Sequence, residues 1–121
     1  MNNFKKQISE KGFLQIGMTG HSMSPVIYDQ EIYTVKAPGN RKPQKFDLVL
    51  FSSGETLICH YIRKIINDHK IYTQGINNRV LDKPISKDEI IGYVTKKLPL
   101  KYKMLYSLVD LILNLTALRR K

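Results

Sequence analysis

The apolar positions in the middle of this chain fall in short runs with the period of strands rather than helices. Glu31 to Lys36, rich in β-branched and aromatic residues, predicts a strand, and Gly39 to Lys45 follows as a polar loop bearing Pro43. Phe46 to Phe51 predicts a buried strand closed by the Ser52-Ser53-Gly54-Glu55 turn. Thr56 to Ile66 predicts a long strand, Asn67-Asp68 a turn, Lys70 to Gln74 a short strand, Gly75 to Pro84 a loop, and Ile90 to Thr95 a last strand. With one helix over Asn3 to Lys11 and another at the carboxy terminus, five strands joined by short turns predict a mainly β fold. The architecture expected is a compact, mostly antiparallel sheet or partly open barrel.

The 121 residues, 42% of them hydrophobic, set the scale of a single domain, 1–121, with one modest core. Within it, 12–97 form the β core and 98–121 a basic, apolar carboxy-terminal helix. The single cysteine, Cys59, excludes an internal disulfide framework, and the histidines and carboxylates show no metal-ligand spacing, so neither metal nor cofactor is expected. The segment Met1 to Gln7 lacks the apolar core of a secretory signal, and no run reaches the length of a bilayer span. A protein that is cytoplasmic or peripherally membrane-associated is expected.

Twenty basic against ten acidic residues leave a formal charge of +10, which calls for an anionic neighbour such as nucleic acid, an acidic peptide or an anionic membrane face. The cations thicken at Lys96, Lys97, Lys101 and Lys103 and again at Arg119, Arg120 and Lys121. Between them, Met104 to Leu118 is apolar but broken by Ser107, Asp110, Asn114 and Thr116, too broad for a clean stripe and too brief for a span. Such a helix either docks on its own core or another copy, or lies on an anionic bilayer. Asp110, interrupting the apolar surface, and the absence of tryptophan as an interfacial anchor favour docking.

Candidate chemistry begins at Thr19-Gly20-His21-Ser22-Met23-Ser24-Pro25-Val26. Gly20, two residues before Ser22, lets the backbone approach a substrate carbonyl, and Pro25 keeps the segment from relaxing into a helix, so the serine is presented as a hydroxyl nucleophile. An isolated copy of such a sequence reads as a structural turn; its meaning depends on a base. In the long strand, alternation places Ile58, His60, Ile62 and Lys64 on one face and Leu57, Cys59, Tyr61 and Arg63 on the other. A serine hydroxyl needs a neighbour to accept its proton. His60 qualifies with the smaller perturbation, and Lys64 qualifies if Ile62, Ile65 and Ile66 desolvate it.

The order of segments resembles that of the signal peptidase I and repressor-cleaving superfamily of serine peptidases over roughly Gly17 to Val94. Gly20-His21-Ser22-Met23-Ser24-Pro25 is similar to that family's Gly-x-Ser-Met-x-Pro, and Gln30 to Val35 to its Gly-Asp strand with both signature residues altered. Phe46 to Phe51 resembles Gly-Asp-Ile-Val-x-Phe, keeping Asp47. Ile58-Cys59-His60 stands where the His-Arg of the endoplasmic-reticulum and archaeal-type branch falls, with Tyr61 in place of the arginine. Gln74 to Asn78 resembles Lys-Gly-Asp-Asn-Asn with Ile76 in place of the aspartate, followed by Asp82 and by Ile90-Ile91-Gly92-Tyr93-Val94, similar to the closing Ile-Ile-Gly-x-Val strand.

The resemblance implies a β-rich peptidase core in which Ser22 is the nucleophile, His60 the general base and Asp82 the carboxylate that orients the imidazole, with Lys64 as the fallback base. A rival register, against the bacterial branch's Tyr-Ile-Lys-Arg-Val, seats Arg63 as the base, and arginine does not give up its proton. The reaction implied is cleavage of a leader or precursor peptide with small residues before the cut, through an acyl-enzyme. The oxyanion would be held by backbone amides near Ser22, with Thr19 or Ser24 as auxiliary donor. Two alternatives stay open: a catalytically silent peptide-binding scaffold of the same fold, and a basic β-barrel that binds nucleic acid. The seven tyrosines share no motif and read as strand or core residues, which counts against the latter.

Overall fold

The computed structural model describes residues 2–119, with side chains described over 6–114. The cluster Arg119-Arg120-Lys121 and the distal residues Thr116 and Leu118 therefore lie outside the described side chains. The elements run α1 (Asn2–Lys11), β1 (Phe13–Gly17), β2 (Ile32–Lys36), β3 (Leu48–Ser53), β4 (Thr56–Asn67), β5 (Lys70–Gln74), a 3-10 turn at Lys87–Glu89, β6 (Gly92–Val94) and α2 (Leu100–Arg119). The six strands form one antiparallel open sheet in the order β1-β2-β6-β3-β4-β5.

Alternation along the strands divides the apolar residues between the two faces of this sheet. Leu48, Leu50 and Tyr61 join Ile8 of α1, Ile16, Val35 and Val94 on one side. Val49, Phe51, Ile62 and Tyr93 join Ile71 on the other, where Ile85 and Ile90 cover them. Residues Ile16 to Gly20 and Thr56 to His60 line one cavity, so the sheet curls until the end of β1 and the start of β4 face each other.

The sequence reading omits β1, a five-residue edge strand whose period-two signal rests on Leu14 and Ile16 alone. The third strand begins at Leu48 rather than Phe46 because Phe46 adopts φ 75°, a left-handed conformation that ends regular pairing. Its amide still bonds the Ile62 carbonyl at 2.7 Å, so pairing resumes after the kink. β6 is trimmed to Gly92–Val94 by the turn at Lys87–Glu89, and Ile91 joins the sheet only through its amide, 2.8 Å from the Leu50 carbonyl.

The carboxy-terminal helix docks on the sheet through aromatic and charged side chains. Tyr102, Tyr106 and Asp110, four residues apart, meet the sheet. Tyr106 stacks on Tyr61 and Phe46, and Asp110 takes two hydrogen bonds from Arg63 (2.7 and 2.8 Å) and one from Lys45 (2.7 Å). Asp110 clamps the helix, while Leu105, Leu108, Leu111 and Leu113 face outward. Those bonds hold the Asp110 carboxyl below the usual carboxylate range against the opposing effect of burial. Among the described residues no helix is long and apolar enough to cross a membrane.

Candidate active site

Gly20, at φ 96°, turns the chain from β1 into the loop that carries Ser22, a backbone region that glycine enters at little cost. The turn is fastened by the Gly20 amide, which donates to Asp29 Oδ1 at 2.9 Å. Met23, directly after the serine, is buried in the core and its sulfur accepts the Ile76 amide at 3.4 Å. Ser22 is thus gripped from behind while its hydroxyl stays half exposed at the cavity mouth.

Ser22 Oγ lies 3.0 Å from His60 Nε2, and His60 Nδ1 lies 2.5 Å from Asp82 Oδ2. A carboxylate accepts hydrogen bonds and does not donate, so Nδ1 carries the proton and Nε2 presents its lone pair to the serine hydroxyl. His60 is 6% exposed, with its ring edge-on to Phe51 at 6.2 Å between centroids. The three sequence candidates, drawn from a loop, a central strand and a second loop, therefore form one continuous hydrogen-bonded line.

Lys64 does not join them. It is exposed, four residues along β4 from His60, about 13 Å at strand rise, and the register shift between Ile62 and Lys64 interrupts the strand on the way. Arg63 faces the other side, bonded to Asp110 and set over the Tyr106 ring, which removes it from the serine. His21 neighbours Ser22 in sequence only: its side chain is 80% exposed and stands 3.9 Å from Asp29. Thr19 lines the cavity beside Ser22, whereas Ser24 does not.

Three residues with no individual role in the sequence analysis support the site. Thr73, fully buried on β5, donates through Oγ1 to Asp82 Oδ2 at 2.7 Å, and its carbonyl accepts the Asp82 amide at 2.9 Å. Gly75 is buried beneath the pair: a Cβ there would stand 2.9 Å from Ser22 Cβ and 3.0 Å from His60 Nε2. Asn77 binds the Ser22 loop from the side, its amide to the Ser22 carbonyl at 2.8 Å and its Nδ2 to the carbonyls of His21 (2.6 Å) and Ser24 (3.0 Å). The Gly-x-Asn-Asn spacing marked this loop; a threonine within a strand carries no comparable signal.

The cavity beside Ser22 holds about 290 Å³ and is lined by Ile16, Met18, Met23, Ile27, Leu57 and Cys59 along with Thr19 and His60. Burial pushes the Cys59 thiol up to about 12, so at neutral pH it is a small apolar group rather than a thiolate. Among the described residues no three histidine, cysteine or acidic side chains stand together as metal ligands would. Comparison of the chain with protein-family models, curated proteins and solved structures finds no match.

Proposed function

We propose that this protein is a serine endopeptidase of the signal peptidase and repressor-cleaving kind, cleaving a leader or precursor peptide. The observation that supports it is the unbroken line from Ser22 Oγ through both nitrogens of His60 to Asp82. An imidazole so oriented takes the serine proton as Oγ attacks the scissile carbonyl, and Asp82 stabilises the cation that forms. The imidazolium then protonates the departing amine, and water, deprotonated by the same His60, resolves the acyl-enzyme.

An extended substrate would lie along the gap between Ile16–Gly20 and Thr56–Ile58, its backbone pairing with strand edges and one side chain entering the cavity. Of the auxiliary oxyanion donors, Thr19 is favoured by its place in the cavity wall. The reaction is assigned to the cytoplasm or to a membrane face bounding it, with the formal charge of +10 as the support for an anionic surround.

The test is covalent labelling by a fluorophosphonate probe followed by intact mass. One adduct on the wild type, absent from Ser22→Ala and strongly reduced in His60→Ala, is expected. Absence of labelling, or equal labelling in Ser22→Ala, would sink the assignment and leave a silent peptide-binding scaffold.

A further inference from the structure

Helix α2 turns a row of large apolar side chains to solvent. Met104 is 64% exposed, Leu108 54% and Leu111 55%, at positions that share one helix face, opposite the Tyr102, Tyr106 and Asp110 contact. Lys101, also exposed, falls on the same stripe one turn earlier, and exposed Lys96 and Lys97 lead into it. Asp110 is the sole acidic residue of α2, and its charge is spent inward on Arg63 and Lys45. The outer surface of the helix therefore combines apolar side chains with positive charge and no negative charge.

The neighbouring surface repeats the pattern. A groove of about 800 Å³ separates α2 from β4 and the loop after β5, lined by Leu81, Leu105 and Val109 with Lys64 and Arg79, and its one carboxylate, Asp110, is paired with Arg63 and Lys45. Val80, at the tip of the loop that also carries Asp82, is 75% exposed. An exposed apolar band of this extent marks an interaction surface. Its cationic border decides the partner: a second copy would bring Lys97 and Lys101 against like charges on a protein already at +10, whereas an anionic bilayer offers acyl chains to the leucines and phosphates to the lysines.

We propose that α2 and the adjoining loop tip dock this protein on an anionic membrane surface. The helix lies in the interfacial plane, with Met104, Leu108 and Leu111 in the acyl boundary and Lys97 and Lys101 among the headgroups. This deepens the membrane placement given above and is independent of the catalytic reading, since none of these side chains touches Ser22 or His60.

Sedimentation of the full chain with phosphatidylcholine vesicles, with and without about one-third phosphatidylglycerol, at about 0.1 M salt, tests the proposal. Wild type and Ser22→Ala should sediment alike with the anionic vesicles and remain in solution with the neutral ones, so a failure of catalysis leaves this result standing. Leu108→Glu with Leu111→Glu should abolish sedimentation, with the fold checked by thermal melting. Lys97→Gln with Lys101→Gln, which leaves the apolar residues in place, should lower partitioning roughly 25-fold, about fivefold per charge. No sedimentation with anionic vesicles, or sedimentation undiminished in folded variants, would overturn it. A dimer in lipid-free solution that Leu108→Glu disrupts would assign the face to a second copy instead.

Discussion

Thr73 and His60 converge on one oxygen of Asp82, at 2.7 and 2.5 Å. The threonine hydroxyl holds that oxygen in line with Nδ1, and the Thr73 carbonyl holds the Asp82 backbone, so the carboxylate has little freedom to rotate away. Thr73→Val keeps the shape and removes the donor. A hydrogen bond to a charged group contributes about 1.5–3 kcal/mol, so kcat should fall about tenfold to 100-fold with KM nearly unchanged. Thr73→Ser should restore most of it. Equal thermal stability with unchanged kcat in Thr73→Val would assign the threonine to packing alone.

Gly75→Ala should separate Ser22 from His60, because the added methyl would be 2.9 Å from Ser22 Cβ and 3.0 Å from His60 Nε2. Overpacking of this sort costs about 1–3 kcal/mol in stability. The loss of probe labelling rate should exceed what that stability change explains, since hydroxyl and imidazole move directly. Labelling at the wild-type rate in a destabilised Gly75→Ala would show that the serine does not depend on His60.

Residues that act as a unit are not additive. Ser22→Ala, His60→Ala and the double variant should each lose on the order of 10³-fold or more in peptide cleavage, and to a similar extent. Asp82→Asn should lose a comparable amount by favouring the wrong imidazole tautomer. A double variant markedly worse than either single would contradict a shared line of proton transfer.

The Asp110 clamp predicts a pH dependence of stability. Its carboxyl is held below its ordinary value by Arg63 and Lys45, so the stabilisation is fully present above about pH 4, the unfolded value. It is lost as pH falls further, through the folded value. Asp110→Asn should cost about 1–2 kcal/mol at neutral pH, measured by urea unfolding, and the gap to wild type should close on acidification. A gap that stays constant down to the acid transition would contradict the sign.

Cys59, raised to about 12 by burial, should react with iodoacetamide at neutral pH far more slowly in the folded protein than in urea. Cys59→Ala should keep serine labelling. Fast alkylation of the native protein would contradict the burial.

The strands were legible because β3 is a continuous apolar run closed by a Ser-Ser-Gly turn and β4 is a long run rich in β-branched and aromatic residues, and the two-residue period of any strand put His60 and Arg63 on opposite faces. The edge strand β1 was not, since five residues beside a helix give two inward side chains and no turn signal. Ser22, His60 and Asp82 were legible as residues, but their contact depends on the loops after β1 and β5 converging on β4. Asp110 counted toward docking in the sequence, but the clamp it makes was not legible, because a charge on a helix does not name distant partners. Its partners, Arg63 and Lys45, lie 47 and 65 residues away.

Asn77 stitches the loop of Ser22 to the loop of Asp82 through the carbonyls of His21, Ser22 and Ser24. Two segments more than fifty residues apart in sequence are thereby bound into one opening unit. Their amide protons should exchange with solvent deuterium at matching rates, and Asn77→Ala should release both loops together while leaving exchange from the central strands β3 and β4 slow.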